Sequence, residues 1–201
     1  IIALTVFQPR DKNGELIYTR NQRSYTTGVK FATGSWNDEK KCFIWTFGDT
    51  ITVNPSLTTI GCNEASFTIC QDGTLITAMR TQGNEYLNLY SGRYCAVSND
   101  CGMTWSEPEL LRYDDGSIAH NPACLGRFFK SFSTGKTYFI TNYLPDPVFA
   151  QVPRYPLQIA ESDTVNKLIL KRTMSVIQDL PEGAPVDRRY TNWSQYEDRE
   201  T

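Results

Sequence analysis

The sequence has few of the features that mark a metalloprotein, a nucleic-acid-binding protein or a membrane-spanning protein. Its 201 residues include one histidine and six cysteines, and its formal net charge is −2. No two cysteines form a CxxC pair, and His120 alone cannot complete a zinc site with them. No basic stretch offers a stripe for phosphate groups, and no apolar run approaches the roughly 20 residues that cross a bilayer. We therefore expect no metal or other cofactor, no nucleic-acid partner and no transmembrane segment.

Long helical periodicity is also absent, and the residues that are present favour strands. Aromatic residues make up 12% of the chain, and threonine, valine, isoleucine and tyrosine are plentiful. The opening run IIALTVF lacks the basic start and the cleavage site of a signal peptide, so it predicts a strand. The sequence therefore predicts an all-β chain.

Residues 63–80, NEASFTICQDGTLITAMR, predict a β-hairpin. Two β-rich runs flank Asp72-Gly73, a dipeptide that tolerates the positive φ of a tight turn. Pairing residues outward from that turn places Glu64 opposite Arg80 and Thr81. This pair has two interpretations: an exposed ion pair contributing about 1 kcal/mol or less, or one edge of an active site.

Three glycine turns recur at intervals of about sixty residues. They are Asn13-Gly14, Asp72-Gly73 and Thr134-Gly135, and their glycines lie 59 and 62 residues apart. Each turn precedes an apolar-rich run that predicts a strand. A period near sixty in an all-β chain is typical of the four-stranded blades of a β-propeller.

A sharper motif is SNDCGMTW at residues 98–105, which fits Ser-x-Asp-x-Gly-x-Thr-Trp at every specified position. It resembles the Asp-box, or bacterial neuraminidase repeat, of sialidases and related propellers. In such a turn the aspartate accepts backbone N–H groups, the glycine supplies a rare backbone shape and the tryptophan packs beneath. The resemblance implies that Asp100 and a buried Trp105 are structural residues between two strands. A weaker copy of the motif ends at Asp163.

The order of the surrounding elements resembles the sialidase (neuraminidase) superfamily. Asn63-Glu64, the Asp-Gly hairpin, Arg80 and Arg93 precede the Asp-box in the order found in those enzymes. The resemblance covers about residues 60–200, whereas residues 1–59 match only as generic β-rich sequence. It implies a six-bladed β-propeller of the sialidase type. Residues 1–201 are then expected to be one partial propeller domain, an incomplete fragment of about three to four blades.

In that family three arginines bind the carboxylate of a terminal sialic acid. Arginine suits this task because its planar fork donates two parallel charge-assisted hydrogen bonds to a carboxylate. The positions that match are Arg80 and Arg154, although Arg154 could also be a solvated loop residue. Arg93 either lines the same cleft or caps a sheet edge. Residues 1–59 contain no counterpart of the third arginine or of the aspartic acid that serves as general acid.

Sialidases are exceptional glycosidases because their nucleophile is a tyrosine. The anomeric carbon already bears a carboxylate, which would repel a second one, and a phenol needs a neighbouring base to take its proton. By resemblance, Glu64 is that base and Tyr190 the nucleophile, but Trp193 lies almost as close to the nucleophile position. The predicted function is sialidase-like hydrolysis. The alternatives are a lectin-like propeller without hydrolysis, or a propeller glycosidase of other specificity that uses carboxylates such as Glu64.

The resemblance also implies a glycan or glycoconjugate as partner and a secreted or extracellular location. The triplet Asn192-Trp193-Ser194 is an N-glycosylation sequon and agrees with that location. The cysteines are expected to be buried free thiols, or disulfides if the protein is secreted. The sequence gives no indication of the oligomeric state.

Overall fold

The structure is a computed structural model that describes residues 1–19 and 26–198. Within these residues, strands form three antiparallel sheets. Sheet 1 contains β1 (Ile2–Phe7), β2 (Thr27–Asn37) and β3 (Cys42–Ile51). Sheet 2 contains, in order, β4 (Cys62–Ile69), β5 (Leu75–Thr81), β6 (Gly92–Ser98) and β7 (Glu109–Leu110). Sheet 3 contains β8 (Arg127–Lys130), β9 (Thr137–Thr141), β10 (Leu157–Asp163), β11 (Leu168–Ile169) and β12 (Ser175–Gln178).

The all-β prediction is confirmed for the part of the chain that the structure describes. That part contains no α-helix and only three single turns of 3-10 helix. The apolar opening run forms β1, as predicted. The three sheets do not close into a barrel or a ring within residues 1–19 and 26–198. None of the described helical turns is long and apolar enough to cross a membrane.

Sheet 2 lies in the middle and is covered on both faces. One face packs with sheet 1 in a core that includes Phe31 and Met79. The other face packs with sheet 3 in a core that includes Ala78 and Phe139. Residues that alternate along β5 therefore enter different cores, which explains why this strand is buried almost continuously rather than at every second position.

The hairpin predicted at Asp72-Gly73 is confirmed, because this turn joins β4 to β5. Gly73 has φ +85°, and the Asp72 carboxylate accepts the Thr74 backbone N–H at 2.9 Å. The predicted pairing at the open end is wrong. Asn63, not Glu64, lies opposite Arg80, because a β-bulge shifts the register between Asn63 and Ser66. The prediction holds only for a hydrogen-bonded strand ladder without a bulge.

Two of the three glycine turns have the same place in the fold, because each directly joins the first two strands of its sheet. Asp72-Gly73 joins the first two strands of sheet 2, and Thr134-Gly135 joins the first two strands of sheet 3. Asn13-Gly14 instead lies between β1 and β2, in a loop closed by an isolated bridge from Arg10 to Leu16. The sixty-residue period therefore describes sheets 2 and 3 better than sheet 1.

The Asp-box forms the turn between β6 and β7, as the motif predicts. The Asp100 carboxylate accepts the Ser98 hydroxyl at 2.7 Å, the Thr104 hydroxyl at 2.6 Å and the backbone N–H groups of Met103 and Thr104 at 3.0 and 2.9 Å. The Thr104 bonds, with those of Ser98 and Met103, lower the pKa of Asp100 to about 2. The aspartate is thus the centre of the turn.

Trp105 is half-buried rather than fully buried. Its ring packs against Phe31 of sheet 1 with a centroid distance of 4.5 Å, and its indole N–H donates to the Gly102 carbonyl at 3.2 Å. The turn also lies against β3, where a Cβ at Gly48 would approach the Gly102 carbonyl oxygen to 1.9 Å. The Asp-box therefore joins two sheets as well as two strands.

The weaker copy of the motif occupies the corresponding place in sheet 3. Asp163 ends β10, and its carboxylate accepts the backbone N–H groups of Val165 and Asn166 at 2.9 and 3.0 Å in the turn before β11. Sheets 2 and 3 thus share an aspartate-centred turn between their third and fourth strands.

The six cysteines are free thiols. Cys62, Cys70 and Cys124 are buried, as expected for core thiols, whereas Cys42 and Cys101 are exposed. The face of sheet 1 that points away from sheet 2 is also exposed, and it carries the large side chains of Trp36, Phe43, Trp45 and Phe47.

We predict that replacing Asp100 by Asn makes stability less dependent on acid pH. The pKa of the Asp100 carboxyl group is about 2 in the folded protein and about 3.9 in the unfolded chain. Such a group stabilises the fold above pH 4, and this contribution is lost as the pH falls towards 2. The difference in urea midpoint between wild type and Asp100→Asn should therefore be larger at pH 6 than near pH 2. Glu39→Gln, at an exposed carboxylate, is the control. A difference that stays constant with pH would contradict the prediction.

Candidate functional site

A row of polar side chains crosses sheet 2 at one end. Asn63 of β4 lies opposite Arg80 of β5, which lies opposite Arg93 of β6. Residues two apart on a strand point to the same face of its sheet. Ala78 is two residues from Arg80 and Cys95 is two residues from Arg93, and both pack in or against the core shared with sheet 3. The row therefore lies on the face towards sheet 3. The row stands at the opposite end of β6 from the Asp-box.

Buried polar atoms in this row have no hydrogen-bond partner among the described residues. They are Asn63 Oδ1, Arg80 Nε, and both Nε and Nη1 of Arg93. Buried polar groups are nearly always paired in folded proteins, and exceptions often mark functional sites. Such atoms in three adjacent residues make this end of sheet 2 the candidate site.

Glu64 reaches the row because of the β-bulge. Its φ is +46°, which is uncommon for a residue with a side chain, and its Oε1 lies 2.6 Å from Arg80 Nη1. The Glu64 side chain is 41% exposed and that of Arg80 is 13% exposed. A bulge re-aims a side chain in this way and is frequent beside active sites. The predicted Glu64–Arg80 contact is therefore present, although the two residues are not cross-strand partners.

Two glutamines connect Arg80 to the loop that carries Arg154. Gln82 Oε1 lies 3.5 Å from Arg80 Nη2 and accepts the Gln151 side-chain N–H at 3.2 Å. The Gln82 backbone carbonyl is held in turn by Thr59, through its backbone N–H and its hydroxyl, both at 2.9 Å. The loop before β4 thus fixes the position of this bridge.

Arg154 is 9% exposed and is bound mainly by backbone. Its Nε and Nη2 donate to the carbonyls of Gln151 and Ala123, each at 2.9 Å, and its Nη1 donates to the Thr191 hydroxyl at 2.9 Å. Burial lowers the pKa of the guanidinium, with Arg80 and Arg189 adding to that effect and Glu64 opposing it. The structure therefore brings Arg154 close to Arg80 and Glu64, as the resemblance implies. Most of its donors are already used within the protein.

Arg93 is the most deeply buried charge of the site, at 1% exposure. Its Nη2 donates to the Cys124 carbonyl at 2.7 Å, and the guanidinium lies over the Phe139 ring at 5.7 Å. Neither expected role describes it, because it neither lines an open cleft nor caps an exposed edge. It lies behind Arg80, between sheets 2 and 3.

Tyr190 is held beside Arg154 by its backbone. Its N–H donates to the Arg154 carbonyl at 3.0 Å, while its hydroxyl donates to the Asp179 carbonyl at 3.2 Å. No hydrogen bond joins the Tyr190 hydroxyl to Glu64 among residues 1–19 and 26–198, so the contact expected of a nucleophile and its base is not made in this conformation. Trp193 is half-buried three residues further on, and its indole nitrogen is without a partner in the described chain.

The cluster carries more positive than negative charge. Arg80, Arg93 and Arg154 lie together, and Glu64 is the only carboxylate that forms an ion pair with any of them in the part of the chain that the structure describes. Guanidinium groups in a partly desolvated place attract an anion, and they bind a planar carboxylate with good geometry. The same cluster offers no metal site, since the described residues include no group of three or more suitable His, Cys, Asp or Glu side chains.

A spacious groove lies elsewhere. It has a volume of about 710 Å³ and lies between the Asp-box turn and the β10–β11 turn, with Trp105, Arg112 and Lys167 in its lining. None of the residues of the polar row lines it. We assign the candidate site to the arginine cluster because unpaired buried donors point to a ligand more directly than the volume of an open groove does.

Sequence reasoning identified Glu64, Arg80 and Arg154 but missed the glutamines that join them. Gln82 follows β5 directly, and this position at the strand end was the available signal. Gln151 and Thr191 belong to segments without regular structure, and no local pattern indicates their contacts with Arg154. The pairing of Arg80 with Arg93 could have been counted from the strands, but the depth of Arg93 depends on packing by sheet 3.

Neither a comparison with protein-family models nor a search of curated proteins finds a match for this chain.

We predict that Arg154→Met destabilises the protein more than Arg80→Met does. The first change leaves the Ala123 and Gln151 carbonyls without their charged donor and should reduce the free energy of unfolding by about 2–4 kcal/mol. The second removes an ion pair to a half-exposed carboxylate and should reduce it by about 1 kcal/mol or less. Urea denaturation of the two variants measures both values. Equal losses would show that Arg154 has no special role in holding its loop.

Proposed function

We propose that this protein is a sialidase-like β-propeller that binds glycans through a terminal anionic sugar. The observation that carries the proposal is the excess of guanidinium groups over carboxylates at the end of sheet 2. The cluster there contains Arg80, Arg93 and Arg154, and its one carboxylate among the described residues, Glu64, is paired with Arg80. A sugar that bears a carboxylate, such as sialic acid, supplies the charge that this cluster attracts.

The arrangement of sheets 2 and 3 supports the propeller part of the proposal. Both begin with a hairpin that turns at a glycine, Gly73 or Gly135, and both have an aspartate, Asp100 or Asp163, in the turn between their third and fourth strands. Their first strands also meet, since the Phe128 backbone N–H of β8 donates to the Ser66 hydroxyl of β4 at 2.9 Å. Repeated four-stranded units that pack face to face are the building plan of a propeller.

The donors that remain free suggest how a carboxylate would bind. Arg80 has an unpaired Nε, and Arg154 keeps one N–H of Nη1 after its bonds within the protein are counted. The weak 3.5 Å contact between Arg80 and Gln82 is the easiest to replace. A carboxylate that takes the place of this contact would accept hydrogen bonds from Arg80 directly, with Arg154 beside it.

Hydrolysis is the second candidate function, and the position of Tyr190 favours it. The backbone of Tyr190 is bonded to Arg154, and Glu64 is bonded to Arg80, so both residues border the same cluster. For retaining hydrolysis the Tyr190 hydroxyl would leave the Asp179 carbonyl and give its proton to Glu64 as its oxygen attacks the anomeric carbon. The leaving alcohol takes a proton from an acid that the described residues do not identify. Water then hydrolyses the glycosyl–tyrosine bond.

The same proposal includes a secreted or extracellular location and a glycoconjugate partner. Terminal sialic acids are carried by glycoconjugates at cell surfaces. The side chain of Asn192, the acceptor of the sequon, is exposed and therefore accessible to a glycosyltransferase.

Binding is tested by calorimetric titration of 3′-sialyllactose, with lactose as the neutral control. We expect wild-type protein to bind the first and not the second, and Arg80→Met to lose at least about tenfold in affinity, because a charged hydrogen bond contributes roughly 1.5–3 kcal/mol. Arg172→Met, at an exposed arginine in the 3-10 turn between β11 and β12, removes the same charge away from the site. Wild-type protein that ignores both sugars would overturn the proposal.

Hydrolysis is tested by the release of sialic acid from the same substrate. If Tyr190 is the nucleophile, Tyr190→Phe should abolish release and leave the affinity for 3′-sialyllactose within about threefold, because the phenol hydroxyl takes part in the chemical step and not in carboxylate binding. Wild-type protein that binds the sugar but releases no sialic acid would decide for the lectin-like alternative.

A further inference from the structure

Arg93 is a buried charge that forms no ion pair with any residue that the structure describes. Its guanidinium donates one hydrogen bond to an oxygen, the Cys124 carbonyl, while Nε and Nη1 are unpaired among the described residues. The thiols of Cys95 and Cys124 and the ring of Phe139 are close to it. No carboxylate in the described part of the chain forms an ion pair with it, since Glu64 pairs with Arg80.

This arrangement is costly for the folded protein. An arginine stays charged inside proteins, and an unpaired buried ion costs several kcal/mol. The cross-strand position of Arg80 directly opposite adds repulsion between like charges. A neutral side chain of similar length would fill the same space beside Phe139 without either penalty, and the lost hydrogen bond to the Cys124 carbonyl would offset only part of that gain.

Arg93 also acts on the backbone that orients Arg154. Arg93 holds the Cys124 carbonyl at 2.7 Å, and Arg154 holds the neighbouring Ala123 carbonyl at 2.9 Å. Two consecutive carbonyls are thus bound by two arginines, one from β6 and one from the loop between β9 and β10. The approach is tight, since a Cβ at Gly126 would lie 2.8 Å from Arg93 Nη2.

We propose that Arg93 is a positioning residue for the anionic ligand: its buried charge is compensated when a carboxylate binds at Arg80, and its bond to Cys124 keeps Arg154 beside that carboxylate. The inference rests on the proposed function, because it requires an anionic ligand. It adds that part of the affinity comes from a residue that never touches the sugar. It also adds that this residue lowers the stability of the ligand-free protein.

The test separates charge, hydrogen bonding and packing at one position. Arg93→Gln keeps a donor for the Cys124 carbonyl but removes the charge, Arg93→Lys keeps the charge, and Arg93→Met removes both. We expect Arg93→Gln to raise the Kd for 3′-sialyllactose about tenfold or more, Arg93→Lys to change it by about threefold or less, and Arg172→Met to leave it unchanged. We expect the thermal midpoint of Arg93→Met, without ligand, to equal that of wild type or to exceed it by about 2–4 °C.

A merely structural arginine cannot give both results, namely equal or higher stability in Arg93→Met and weaker binding in Arg93→Gln. Arg93→Gln that binds 3′-sialyllactose as tightly as wild type would overturn the inference and leave the proposed function intact. Arg93→Met that melts well below wild type, or does not fold, would overturn the claim that the charge lowers stability, and Arg93→Gln would still test its contribution to affinity. Wild-type protein that does not bind the sugar would overturn both proposals together.

Discussion

Coverage of sheet 2 on both faces is the constraint on which the rest of the structure depends. It buries β5 along most of its length and directs alternate residues into the two cores. It also determines the surroundings of the strand ends. A polar side chain at the end of a one-sided sheet can turn into water, but Arg93 emerges between two packed sheets and cannot. The desolvated charge of the site is therefore a direct result of sheet packing.

The contacts around the site are mostly made by backbone. The carbonyl of Gln82 is bound by Thr59, and the carbonyls of Ala123 and Cys124 are bound by Arg154 and Arg93. Backbone acceptors fix the side chains without adding negative charge, so the positive potential of the cluster is preserved. Glu64 is the exception, and its bulged, half-exposed position keeps it at the edge of the cluster.

Much of the local structure could be predicted from the sequence because it depends on local chemistry. The turns at Asp72-Gly73 and at Asp100 follow from residues that favour positive φ or accept backbone N–H groups, and those signals lie within a few residues of one another. The pairing of Glu64 could not be predicted, because nothing local marks the bulge. The half-burial of Trp105 depends on how closely sheet 1 approaches.

The candidate site was predictable only in part for the same reason. Arg80 and Glu64 belong to one hairpin, so counting along two strands was enough to bring them together approximately. The approach of Arg154 to this hairpin depends on a loop between β9 and β10, and its glutamine bridge depends on two side chains 69 residues apart. The orientation of the Tyr190 hydroxyl towards Asp179 is set by a segment without strands, where residue spacing carries no directional information.

The two ends of strand β6 have different roles. The end at Ser98 enters the Asp-box, which joins strands and sheets, whereas the end at Arg93 enters the charged cluster, about 17 Å away by the rise of an extended chain. Energetic coupling between substitutions falls off over such a separation. Substitutions around Arg93 are therefore expected to alter the charged cluster while leaving the turn at the other end of the strand, and the folding that depends on it, unchanged.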